Sequence, residues 1–87
     1  MYMSNLYIET PMLLSEPLSF TAGKPVWLKL EALQPSGSFK LRGVSLLCQQ
    51  ELAKGARGFV SSSGGNAGIA VAYVGRKLGV PVRVVVP

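Results

Sequence analysis

From residue 26 onward, short apolar runs alternate with longer stretches of helical character. Val26-Trp27-Leu28-Lys29-Leu30-Glu31 carries a β-branched and an aromatic residue and partly alternates, which predicts a strand. Gln34-Pro35-Ser36-Gly37 reads as a loop, and a helix is expected over 39–53. Ser38 is its candidate N-cap, with Ser36 competing. Leu46, Leu47, Gln49, Gln50, Glu51 and Leu52 favour helix, and Gly55 supplies the stop. Phe59-Val60-Ser61 predicts a short strand, and Ser62-Ser63-Gly64-Gly65-Asn66 a tight turn. A second helix is expected over 67–78, with Arg76 and Lys77 complementing the dipole of its last turn. Gly79 and Pro81 then end it. Val82-Arg83-Val84-Val85-Val86 is nearly continuous in apolar character, as suits a parallel strand covered on both faces. Residues 1–23 read as irregular, broken by Pro11 and Pro17.

The order β–loop–α–β–loop–α–β predicts two overlapping βαβ units. The fold class is therefore α/β, a three-layer open parallel sheet with right-handed crossovers. Three strands with open edges make a poor end point for a parallel sheet, so the pattern reads as an incomplete N-terminal portion of a larger fold.

Composition narrows the chemistry. Hydrophobic residues make up 48% and charged residues 15%, too apolar for a disordered tail. The ten glycines have no three-residue period, which excludes collagen. Cys48 is the single cysteine and histidine is absent, so an internal disulfide, a His-based triad and a zinc–histidine site within the chain are excluded. Cys48 is expected to pack as a small apolar residue, and Trp27 to sit in the core. The net charge of +5 comes from scattered basic residues without interleaved aromatics, which argues against a nucleic-acid partner. No basic leader and no run of 18 apolar residues occurs, so no membrane span is expected and a cytoplasmic, reducing setting is.

Two loops carry candidate chemistry. In Pro35-Ser36-Gly37-Ser38-Phe39-Lys40-Leu41-Arg42-Gly43, Lys40 falls in the first turn of its helix. The positive end of the dipole disfavours an ammonium there, and a free amine is what imine chemistry needs. A solvated surface lysine is the plain alternative. The partner of Arg42, a carboxylate or a loop, is left open. In Ser61-Ser62-Ser63-Gly64-Gly65-Asn66-Ala67-Gly68, a glycine-rich turn follows a strand and opens a helix, which suits a carboxylate or a single phosphate. A tight turn without ligand is the plain alternative. Walker A fails because Ile69-Ala70 follow the last glycine. The dinucleotide fingerprint fails because Ser63 replaces a glycine and no acid lies about twenty residues on. Both loops follow strands and should share the carboxyl edge of the sheet, where open α/β folds bind ligands.

Lys29-Leu30-Glu31, Ser36 to Gly43 and Ser62 to Gly68, in this order, closely resemble the N-terminal part of the fold-type II enzymes that depend on pyridoxal 5′-phosphate, in particular the L-serine dehydratase/L-threonine deaminase and serine dehydratase-like group. Thr10-Pro11, Ala72-Tyr73 and Lys77 to Pro81 fit as well, so the resemblance spans almost the whole chain. It implies that Lys40 is joined covalently to pyridoxal 5′-phosphate and exchanges the substrate Cα proton. It implies that Phe39 packs on the pyridine ring and that Asn66 bonds the pyridoxal 3-oxygen. It implies that Ser63, Gly64, Gly65, Asn66 and Ala67 form the loop that holds the substrate carboxylate. The implied reaction is β-elimination of L-serine to pyruvate and ammonia, and of L-threonine to 2-oxobutanoate. Serine racemases resemble this loop but carry Ser at position 64, so Gly64 argues for elimination. The resemblance also implies that residues 1–39 belong to a large cofactor domain and 40–87 open a small one, both incomplete, in a parent that is a homodimer. The phosphate loop and the pyridine-nitrogen partner of the family have no counterpart in this sequence. The 87 residues alone are therefore expected to be inactive; the alternatives are a serine racemase or another fold-type II enzyme, and a non-catalytic truncated chain.

Overall fold

The computed structural model describes residues 5–87. In chain order the elements are β1 (Met12–Leu14), α1 (Glu16–Ala22), β2 (Trp27–Lys29), a single 3₁₀ turn (Glu31–Leu33), α2 (Lys40–Ala53), β3 (Phe59–Ser61), α3 (Asn66–Leu78) and β4 (Val82–Val84). The fold class is the expected incomplete α/β layer. β3 and β4 pair in parallel across α3, with Val60 opposite Arg83.

The expected first βαβ unit, β2–α2–β3, does not form, because β2 pairs antiparallel with β1, Leu28 opposite Leu13, and not with β3, so the two candidate loops do not follow strands of one sheet. The segment before residue 24 is accordingly irregular only over 5–11 and then forms β1 and α1; Met1–Ser4 lie outside the described residues. The two prolines that read as breakers have positional roles. Pro11 directly precedes β1, and its carbonyl accepts from Leu30 N at 3.0 Å. Pro17 lies in the first turn of α1, where a missing N–H leaves no bond unmade. The Ser15 hydroxyl caps that helix by accepting from Leu18 N at 3.3 Å, and Gly23 ends it in the left-handed region at φ +71°.

Trp27 was expected in the core and is 58% exposed. The cause is topological. The β1–β2 ladder has two strands, all six of its residues are exposed, and α1 buries none of its own. The core lies instead between the two long helices and the parallel pair. Leu41 and Cys48 of α2 pack on Val74 of α3, with Leu6, Tyr7, Val44, Phe59, Tyr73 and Leu78 around them. Cys48 therefore packs as expected, and burial pushes its thiol above the ordinary range. Close approach of α3 to the strands depends on missing side chains. A Cβ on Gly75 would lie 2.1 Å from Val82 Cγ2. The helix ends match the glycine signals. Gly55 at φ +106° follows α2 and Gly79 at φ +72° follows α3, each opening a return of backbone N–H groups onto the last carbonyls.

Candidate functional site

The segment leading into α2 is tied down before the first candidate side chain appears. Gln34 is buried, and its carboxamide bonds the Ile8 backbone twice. Oε1 accepts from Ile8 N at 2.9 Å, and Nε2 donates to Ile8 O at 2.8 Å. The Glu31 carboxylate accepts from Arg42 Nε at 2.6 Å and Nη2 at 3.2 Å, from Gln34 Nε2 at 3.3 Å, and from the Thr10 hydroxyl. Arg42 in turn lies 4.8 Å from the Tyr7 ring centroid, over its face. The Arg42 guanidinium first, and the Thr10 hydroxyl second, hold the Glu31 carboxyl down at about 2. Arg42 is raised by the same pairing. The sequence does not mark Glu31, Thr10 and Gln34 as a cluster and does not name the partner of Arg42. No spacing rule links residues 11 apart across a loop, although Glu31 and Arg42 each stand in a quoted motif.

The chain then turns through Gly37, at φ +87° with its N–H on Gln34 O at 2.7 Å. Ser38 does not cap α2. Phe39 is already in the right-handed helical region, and the entry is a tight turn in which Leu41 N reaches Ser38 O and Arg42 N reaches Phe39 O. The hydroxyls of Ser36 and Ser38 are buried and find no hydrogen-bond partner among the described residues. Lys40 is the first helical residue, exposed, and its amine makes no hydrogen bond or ion pair among the described residues. Phe39 beside it is 63% exposed. Leu41, next in sequence, is fully buried and anchors the turn from beneath.

The second loop is built from β3. The Ser61 hydroxyl accepts from Ser63 N at 3.3 Å and donates to Ser63 O at 3.1 Å, folding the turn back on the strand end. The Ser63 hydroxyl accepts from Gly65 N at 3.4 Å. A Cβ on Gly68 would lie 2.2 Å from Ser63 O, so only glycine lets α3 start this close under the turn. Residues 62–66 are exposed, Ala67 is half-buried, and the Asn66 carboxamide at the start of α3 has no partner among the described residues. Two helix N-termini thus carry the candidate groups: Phe39 and Lys40 on α2, and Ser63, Gly64, Gly65, Asn66 and Ala67 on α3. The helices pack through Leu41, Cys48 and Val74. No hydrogen bond links Lys40 to the turn.

The donor set fits pyridoxal phosphate. It contains an uncommitted primary amine for an aldehyde, an exposed ring beside it, an uncommitted carboxamide, and helix-terminal amides that favour an anion. Phe39, Lys40 and Asn66 would hold that group.

Comparison with known proteins agrees. The family model described as pyridoxal-phosphate dependent enzyme matches residues 3–87. A human serine dehydratase-like protein is 57% identical over 81 residues, covering 93% of this chain and 25% of that protein. A mouse L-serine dehydratase/L-threonine deaminase is 51% identical over 83 residues, covering 95% and 25%. The crystal structure of a fungal L-serine ammonia-lyase from Rhizomucor miehei superposes with a TM-score of 0.81 at 36% identity, over 93% of this chain and 26% of that one. The chain spans about a quarter of the length of the curated relatives it matches. The tethered lysine loop, the glycine turn beneath Ser63 and the family match over residues 3–87 lead to one conclusion: this chain belongs to the pyridoxal-phosphate dependent enzyme family.

Proposed function

We propose that the chain supplies the lysine and the substrate-carboxylate turn of a lyase that removes the β-hydroxyl and amino group of L-serine, giving pyruvate and ammonia, and treats L-threonine likewise to give 2-oxobutanoate. The observation that carries this is a contrast. Arg42, Glu31, Gln34 and Ser61 are all committed to structural bonds, whereas the Lys40 amine and the Asn66 carboxamide are exposed and make no hydrogen bond among the described residues. The names of the two relatives and of the fungal lyase support the same substrates.

Pyridoxal phosphate, when bound, supplies the sink for the electron pair left at Cα. The residues of this chain do the rest. The Lys40 amine holds the cofactor and takes the Cα proton at Nζ. The Phe39 ring packs against it, and Asn66 orients it by hydrogen bonding. Backbone N–H groups of residues 63–67 bind the carboxylate at the start of α3, where the dipole favours negative charge. Gly64 places no acid or base on the far side of Cα, which favours loss of the hydroxyl over return of the proton from that side. We place a domain boundary at 39/40, because β1–β2 and β3–β4 form separate sheets on its two sides. The 87 residues by themselves are inactive in this reading. A reducing compartment suits Cys48, a buried free thiol.

The test is a graft. Residues 1–87 replace the matched stretch of the mouse relative, and products from L-serine are measured. The expected result is pyruvate without D-serine, lost in Lys40→Ala. D-serine as the main product, or pyruvate formation indifferent to Lys40→Ala, overturns the proposal.

A further inference from the structure

Gly64 does not adopt a positive φ, so its backbone suits any L-residue. What stands against a side chain there is one residue. The Val85 N–H donates to Ser61 O at 2.8 Å, carrying the parallel pairing one step past β4 and bringing Val86 over the turn. A Cβ on Gly64 would lie 2.5 Å from Val86 Cγ1 and 3.5 Å from Val86 Cβ. Val86 is β-branched and therefore stiff at χ1, and it is still 61% exposed on its outer side. Its exposed position means that trimming it opens no buried cavity.

We infer that Val86 is a positioning residue for the carboxylate turn. Its inward methyl seats on Gly64, fills the volume a side chain at that position would need, and holds the turn from the strand side. Ser61 holds it through Ser63 N and O, and Gly68 lies directly beneath Ser63 O. The turn is thus preset before any anion arrives, and the end of β4 limits what position 64 can carry. The functional weight of this inference rests on the proposed role of residues 63–67. The contact itself does not.

Amide hydrogen exchange on the 87-residue chain, without cofactor, tests it in Val86→Ala, Gly64→Ala and the double variant. Amides of α2 serve as the internal control. Val86→Ala should speed exchange at 63–68 about tenfold and leave α2 unchanged. Gly64→Ala should disturb the same amides when Val86 is present and do so at least about threefold less in the double variant. Equal effects of Gly64→Ala in both backgrounds, or turn amides indifferent to Val86→Ala, overturn the inference. Should Gly64→Ala fail to fold, the single Val86→Ala comparison still decides. Because no cofactor is present, this outcome is independent of whether Lys40 proves reactive.

Discussion

At the scale of single residues, the most consequential pair is one that touches neither cofactor nor substrate in the proposed function. Glu31 and Arg42 join the segment before the lysine loop to the first turn of α2, with Thr10 and Gln34 completing the cluster. Because Glu31 is held at about 2 in the folded chain and an unfolded Glu titrates near 4.3, the pair stabilises the fold fully above pH ~4.3. That contribution is lost as pH falls through about 2. NMR titration of the Glu31 carboxyl should therefore show a low midpoint that rises toward ~4.3 in Arg42→Ala. Glu31→Gln should flatten the acid-unfolding profile between these values. A Glu31 midpoint unchanged by Arg42→Ala would show that the guanidinium is not what holds it down. The sequence showed both residues inside motifs but not that they meet, since their contact depends on how the Gly37 loop closes.

At the scale of elements, the C-terminal ends of the two long helices are the most legible feature, because glycine reports a backbone conformation directly. Gly55 and Gly79 both sit in the left-handed region the pattern required. The turn after β3 was also legible, although the reason for Gly68 was not. Its glycine is needed for space against Ser63 O, a contact no local rule contains. Two substitutions separate these cases. Gly79→Ala has open space and should cost about 1 kcal/mol through conformation alone. Gly68→Ala must displace a backbone carbonyl and should cost about 1–3 kcal/mol, with shifted resonances at Ser63. Chemical denaturation of both variants checks the order; equal cost would mean the turn is softer than it looks. Three-residue strands such as β1 are too short to show a period, and Pro17 reads as a breaker although it lies in the first turn of a helix. The β1–α1–β2 unit was therefore invisible, and with it the exposure of Trp27.

The whole molecule is a slab. Its principal extents are 51 × 36 × 16 Å, and its radius of gyration is 16.1 Å, where a compact chain of this length has about 12 Å. It exposes 6114 Å², against about 4,900 Å² for a closed globule of its mass. The excess is apolar in large part. Met12, Leu13, Leu14, Phe20, Trp27 and Val60 all face solvent. The isolated chain should accordingly bind a hydrophobic dye and gain apparent mass with concentration in sedimentation. A dye-silent monomer across that range would mean these faces are already satisfied.

In the proposed function Lys40, alone among five lysines, presents an amine arranged to hold pyridoxal phosphate. Incubating the chain with pyridoxal phosphate, reducing with borohydride and mapping the pyridoxyl mark by peptide mass tests it most directly. Marking is expected at Lys40 well above Lys24, Lys29, Lys54 and Lys77, with that excess lost in Lys40→Ala. Even marking across all five lysines would contradict it.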